Sequence, residues 1–154
     1  MEYTVWLDYL EHQKRIGNHN PVHSMFAEHF CNDKPSADTL YQLVIDGKKR
    51  ATTGSVWAYE YDNEPILNSG DLTILTNYNE SRACVIRTKS VIIKKFKEIT
   101  EEEARKEGEG DLSLGYWRRV HKEFFEEECK RIGKIFSEDM PVAYEEFDIE
   151  YKSE

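Results

Sequence analysis

From Thr4 to Ile16 the apolar residues Val5, Trp6, Tyr9 and Leu10 recur at helical spacing, which predicts a helix closed by Gly17 and Asn18. Pro21 then opens a short segment, NPVHSMFAEHF, that carries Met25, Phe26 and Phe30. PSADTLYQLVIDG predicts a second helix, capped by Ser36, with Leu40, Leu43 and Val44 facing inward and Gly47 at its end. Beyond Gly47 the period shortens to two. SVWAYEYD alternates Val56 and Ala58 with Trp57 and Tyr59, and DLTILTN follows the turn NSGD, so both predict strands. ACVIRTKSVIIKKFKEI is long and β-branched, which predicts two strands or one strongly bent strand. PVAYEEFDIEY alternates Val142, Tyr144 and then Phe147, Ile149, Tyr151 with polar residues, which predicts a strand with a register shift between Glu145 and Glu146.

Two helices are predicted among these strands. TEEEARKEG is short. LSLGYWRRVHKEFFEEECKRIG is long, with Leu114, Trp117, Val120 or His121, Phe124 and Phe125 inward and Gly133 as its stop. Strands with inserted helices and no βαβ rhythm predict an α+β fold with a small barrel or curled sheet. The chain has 154 residues, enough for one domain with its own core. It is 39% hydrophobic and 33% charged, the balance of a soluble globular protein. No apolar run approaches the roughly 20 residues of a membrane span, and the first residues lack the basic start and apolar run of a signal peptide. Cys31, Cys84 and Cys129 are odd in number and show no CxxC spacing, so free thiols in a reducing cytoplasm are expected. The net charge of −9 repels nucleic acid at long range, so a nucleic-acid role requires a local basic patch.

Two short stretches carry candidate chemistry. GKKRATTG, Gly47 to Gly54, sets Lys48, Lys49 and Arg50 before Thr52 and Thr53 at a helix-to-strand junction. Such a run can hold an anion or a polarised carbonyl, and a threonine there can act as a nucleophile if a neighbouring lysine loses its proton. On its own the segment more often serves a helix C-terminus and the start of a strand. EGEGD, Glu107 to Asp111, sets two glycines among three carboxylates. Gly108 can end the short helix, and Asp111 or Ser113 can cap the long one. A helix stop needs one glycine, so the second tips the balance toward a loop brought close to a ligand. Glu107, Glu109 and Asp111 can also meet a hard cation. Trp57, Tyr59 and Tyr61 at strand spacing can stack a base or pack as core. His19, His23 and His29 lack zinc-ligand spacing, and His121 is expected to be a packed, hydrogen-bonded histidine. Arg118 and Arg119 can reach a phosphate or form surface ion pairs.

Taken together, GKKRATTG, EGEGD and SLGYWRRVHKEFF resemble the ASCH domain family of the PUA-like β-barrel superfamily. The family signature G-x-K-x-x-T is matched by Gly47, Lys49 and Thr52. The longer bacterial branch's pattern A-x-x-EGEGD-x-S-x-x-x-W-R-x-x-H-x-x-F is matched from Ala104 to Phe124, and the resemblance extends from Asp38 to Tyr151. It implies a small mixed barrel with helices around it. Residues 1–35 would be an N-terminal helical extension packed on the ASCH domain at 36–152, the whole in effect one domain.

The resemblance also implies a site and a substrate class. Some members are amidohydrolases that remove an acyl group from N4-acylated cytidine, and others bind or cleave RNA. The amidohydrolase set, a lysine, a threonine and a glutamate, falls on Lys49, Thr52 and Glu107, with Lys49 expected to have a depressed pKa and to deprotonate Thr52. Candidate substrate- or RNA-binding residues are Lys48, Arg50, Thr53, Trp57, Tyr59, Glu109, Asp111, Ser113, Trp117 and Arg118. Gly54 stands where the amidohydrolase branch often has an arginine. An RNA-binding module or ribonuclease would instead use Lys48, Lys49, Arg50, Lys94, Lys95, Arg118 and Arg119 as one groove, and a non-catalytic nucleoside sensor is the third reading. No cofactor or metal is expected for the amidohydrolase, and a divalent ion is an option for the ribonuclease. The expected partner is a nucleoside-like small molecule or single-stranded RNA, with no membrane and a monomer or homodimer as the assembly.

Overall fold

The structure, a computed structural model, describes residues 2–18, 25–31 and 33–152. In chain order the elements are α1 (Glu2–Arg15), β1 (Met25–Glu28), α2 (Lys34–Ile45), β2 (Ala51–Ser55), α3 (Val56–Tyr61), β3 (Leu72–Thr76), β4 (Ala83–Lys95), a 3-10 turn (Phe96–Glu98), α4 (Glu101–Lys106), α5 (Leu114–Ile132) and β5 (Pro141–Lys152). The fold is α+β. The chain divides into two compact units: residues 1–47, 69–89 and 147–154, and residues 48–68 and 90–146. His19, Pro21 and His23 lie outside the described residues, as do the side chains of Met25 and Phe26.

In the first unit β1 runs parallel to β3, and β3 runs antiparallel to β4. Helix α1 buries Val5 and Tyr9 with Leu72, Ile74 and Val85, on the face that the spacing predicts. Helix α2 buries Leu40, Tyr41 and Val44 with Phe30, Leu75, Cys84, Ile86 and Phe147. Its cap is Asp33 rather than Ser36. The Asp33 carboxylate accepts the Ser36 backbone N–H at 3.0 Å, and Pro35 falls in the first turn, where its missing N–H costs nothing.

In the second unit β2 pairs antiparallel with β5, from Ala51 opposite Glu146 to Ser55 opposite Val142. That ladder is unbroken through Glu145, so the expected register shift does not occur there. ACVIRTKSVIIKK forms one strand, buried over its first half and more exposed over its second. The core combines Ala51, Phe96, Ile99, Ala104, Trp117, Phe125, Cys129, Met140, Val142 and Tyr144. Helix α5 buries Trp117, Phe125, Cys129 and Ile132 and stops at Gly133, whose φ of 74° is left-handed.

SVWAYEYD corrects the sequence reading most sharply. Only Ser55 belongs to a strand, and Val56–Tyr61 forms α3. The Ser55 hydroxyl accepts the Ala58 N–H at 3.2 Å, so a helix cap follows the strand directly. On a helix Trp57 and Tyr61 sit one turn apart while Tyr59 points elsewhere. The strand-spaced aromatic face is therefore not formed. Trp57 packs against the core beneath the Lys134 ammonium, and the Tyr59 ring lies over Gly54.

Candidate active site

The site begins with two backbone devices in the second unit. Arg50 N–H donates to Lys106 O at 2.8 Å, tying the start of β2 to the end of α4. Helix α4 opens with a reciprocal capping box between Thr100 and Glu103, and Glu107 is its C-cap. Gly108 follows with φ 72°, and a Cβ there would lie 2.3 Å from Lys48 O. Gly110 has φ 58°, and its Cβ would lie 2.4 Å from the Tyr116 ring. Both glycines are thus required by close approach. The loop lies flat against the Lys48–Lys49 backbone and delivers its acids to the lysine.

The acids and the lysine meet inside the protein. Lys49 and Glu107 are each 1% exposed, with Lys49 Nζ 3.4 Å from Glu107 Oε1 and 2.9 Å from Glu109 Oε2. Glu107 Oε2 accepts the Thr53 hydroxyl at 2.8 Å and the indole N–H of Trp117. His121 Nε2 stands 3.3 Å from Glu107 Oε1, and its Nδ1 donates to Trp117 O at 2.9 Å. The imidazole stacks on the Trp117 ring with centroids 4.1 Å apart. A carbonyl can only accept, so Nδ1 carries a proton. The carboxylate on the other side makes a proton on Nε2 favourable as well. Both contacts favour the protonated ring of His121.

The protonation pattern follows from burial set against pairing. Burial drives the Glu107 pKa up, but the His121 and Lys49 charges and the His121 and Trp117 hydrogen bonds outweigh it and bring it down to about 2. Burial pulls the Lys49 pKa down, yet Glu107 and Glu109 together raise it above its ordinary value. The same contest raises His121, with burial opposed by Glu107 and Glu109. The expectation of a depressed Lys49 pKa is thereby corrected. Two carboxylates stand against the ammonium and outweigh its burial.

The predicted site residues separate into groups. Lys49, Glu107, Glu109, Thr53 and Trp117 converge. Thr52 is adjacent to Thr53 on β2, so the two side chains leave opposite faces of the strand, and the hydroxyl on Glu107 belongs to Thr53. Lys48, Asp111 and Arg118 are exposed, and Arg50 is half-buried. Asp111 accepts the Ser113 N–H, and Ser113 caps α5 through the Tyr116 N–H, so both shape the loop. Of the basic groove, Lys94 pairs with Glu103 at 2.7 Å and Lys95 with Asp139 at 3.7 Å. His121 is packed and hydrogen-bonded, as the sequence predicts, and it also meets Glu107, which the sequence does not show. The available signal was its position one helical turn after Trp117, which puts both on one face of α5.

Among the described residues, Glu107, Glu109 and His121 bring potential ligand atoms within 4.8 Å of one another. The Glu107 oxygens meet four donors in this arrangement, the Lys49 ammonium among them.

Among the described residues no helix is long and apolar enough to cross a membrane. A search of curated proteins returned no match. The chain is similar to the crystal structure of an ASCH domain from Lactobacillus crispatus JV V101, with 31% identity, a TM-score of 0.90, and coverage of 97% of this chain and 94% of that one. It also shares its fold with protein EF3133 from Enterococcus faecalis V583, at 24% identity and a TM-score of 0.84, covering 99% and 91% of the two chains. The ASCH domain model matches residues 26–151, which contain every member of the Lys49–Glu107 cluster. With that match over most of its length, and a PUA-like fold of the RNA-binding type, the chain belongs to the ASCH domain family.

Proposed function

We propose that this protein is a small amidohydrolase that cleaves an N-acyl group from a modified nucleoside of the N4-acylcytidine kind. One observation carries the reading: Lys49 and Glu107, 58 residues apart, meet in a buried cluster that also holds a hydroxyl on the carboxylate. A lone buried ion pair is weak support for stability as its purpose. A buried pair that also orients a hydroxyl and an imidazolium has the parts of acyl-transfer chemistry.

With Lys49 an ammonium, the roles differ from those implied by the family motif. Thr53 Oγ1 attacks the acyl carbonyl and its proton passes to Glu107 Oε2. The Lys49 ammonium stabilises the oxyanion. The C–N bond then breaks as His121 gives its Nε2 proton to the leaving amine, which leaves an acyl ester on Thr53. A carboxylate near pKa 2 is a weak base alone. The charge on His121 is the largest of the influences that lower Glu107, so loss of that proton raises Glu107 during the same step. Water then hydrolyses the ester with neutral His121 as base, which restores the Nε2 proton, and Glu107 returns its proton to the departing Thr53 Oγ1.

The RNA-binding reading keeps the support of the fold type, but Lys94 is paired with Glu103. The net charge of −9 also works against a polyanion. The test is incubation of the purified protein with N4-acetylcytidine and short single-stranded RNAs, with products separated by chromatography. Release of cytidine by the wild type, reduced at least about 100-fold in Lys49→Met, is the expected result. No turnover of any acylated cytidine, or full activity in Lys49→Met, would overturn it.

A further inference from the structure

The Lys49 ammonium can donate three hydrogen bonds, and three acceptors already surround it. Glu109 Oε2 lies at 2.9 Å, Glu107 Oε1 at 3.4 Å and the Glu107 backbone O at 3.5 Å. The acyl oxygen of an amide needs a donor from Lys49 as negative charge develops on it, so one of these acceptors must give way. How firmly each is held decides which.

Glu107 is fixed. It is buried, and Thr53, Trp117 and His121 hold its carboxylate besides Lys49. Its backbone carbonyl belongs to the C-cap residue of α4. Glu109 is partly exposed, and among the described residues its carboxylate takes one hydrogen bond, from Lys49. That bond is the shortest of the three, so Glu109 fills the best position on the ammonium. The backbone on either side is packed closely, Gly108 against Lys48 O and Gly110 against the Tyr116 ring. The freedom therefore lies in the Glu109 side chain, which can change rotamer without moving the loop.

Access points to the same residue. Lys49, Thr53 and Glu107 are all buried, so a substrate cannot reach the hydroxyl while the cluster keeps this arrangement. Glu109 and His121, with side chains 17% and 12% exposed, form its solvent side. His121 is stacked on Trp117 and bonded to its carbonyl, which leaves Glu109 as the side chain that opens. Charge favours the exchange. With Glu109 turned away, Lys49 and the protonated ring of His121 face the single charge of Glu107, which keeps its four donors.

We propose that the position of Glu109 Oε2 beside Lys49 is the acyl-oxygen subsite, filled by Glu109 at rest and yielded to the carbonyl oxygen of the substrate. The inference rests on the amidohydrolase reading and locates where the acyl group sits within it. The same position would take a carboxylate oxygen of the acid released. Glu109 competes with the substrate and has no part in the bond-breaking steps.

The test measures binding and turnover separately on the full chain. Acetate, the acid that N4-acetylcytidine would release, is the binding probe, followed by calorimetry and by the Lys49 Nζ signal in NMR spectra. Glu109→Ala should bind acetate at least about tenfold more tightly than wild type, with a shift of the Lys49 signal, because the internal competitor is gone. Glu109→Gln keeps the shape and loses the charge. It should also bind acetate more tightly than wild type, and it decides the matter if Glu109→Ala fails to fold. In hydrolysis of N4-acetylcytidine, kcat/KM should rise at least about threefold in Glu109→Ala, mainly through a lower KM. Acetate binding no tighter in the variants than in wild type, or a kcat/KM that falls, would overturn the proposal. Tighter acetate binding in the variants, with no protein hydrolysing an acylated cytidine, would sink the hydrolase reading and leave the exchange at Lys49 standing.

Discussion

The Lys49 ammonium sits 3.4 Å from Glu107 Oε1 and 2.9 Å from Glu109 Oε2, so one cation at the start of β2 holds two acids of the loop after α4. The geometry is asymmetric in its dependence. Glu107 is gripped by Lys49, Thr53, Trp117 and His121, whereas Lys49 depends on the two acids.

That asymmetry orders the stability of two variants. Glu107→Gln removes the acid shared by Lys49 and His121, leaving Lys49 with Glu109 alone, and should cost about 3–5 kcal/mol. Lys49→Met leaves Glu107 with three of its donors and should cost less. Urea denaturation of both proteins checks the order, and a larger loss for Lys49→Met would contradict it.

The cluster also sets a pH window. The Glu107 pKa is depressed to about 2 from 4.5, so its contribution is present above 4.5 and is lost as pH falls toward 2. The His121 pKa is raised above 6.5, so its contribution is complete below 6.5 and is lost as pH climbs through the folded value. From these two groups, stability should peak between the unfolded values of 4.5 and 6.5. Thermal melts across pH measure this, and His121→Asn should flatten the alkaline side. A wild-type melting temperature rising steadily above pH 7 would be inconsistent.

Two glycines should respond in opposite directions. Gly108→Ala forces a Cβ to 2.3 Å from Lys48 O at φ 72° and should cost about 2 kcal/mol or more. Gly115 lies in the first turn of α5, with Ser113 Oγ at 4.0 Å as the nearest neighbour to a new Cβ. Gly115→Ala should therefore be neutral or stabilise by up to about 1 kcal/mol. Denaturation midpoints of the pair decide it; equal effects would show that the loop's approach to Lys48 is not the constraint.

The adjacent threonines separate the family motif from the observed geometry. If the hydroxyl on Glu107 is the nucleophile, Thr53→Val should reduce N4-acetylcytidine hydrolysis at least about 100-fold, and Thr52→Val should retain most of it. Rate measurements on the two variants read this directly. The reverse result would return the reaction to the other face of β2.

Much of the fold was legible because local signals agreed with tertiary demand. The apolar spacing of α1 and α5 and the glycine stops at Gly47 and Gly133 each point to one structure, while the β-branched run of β4 left two strands or one bent strand open. SVWAYEYD misled because a six-residue helix is too short for periodicity to separate it from a strand, and the cap that starts it is a single Ser55 hydroxyl. For the site, the motif spacing of Gly47 and Lys49 and the paired glycines of EGEGD marked the two halves.

Sequence by itself determined which residue types could meet: a lysine after a helix stop, acids on a glycine loop, and a tryptophan and histidine one turn apart on α5. Only the tertiary structure decided their charge states and which threonine joins them. The Lys49 pKa rises because two carboxylates from residues 58 and 60 positions away outweigh its burial. Thr53 rather than Thr52 reaches Glu107 because the pairing of β2 with β5 fixes which face of the strand turns inward. Electrostatic sign and strand facing depend on neighbours distant in the chain, and local pattern carries no record of either.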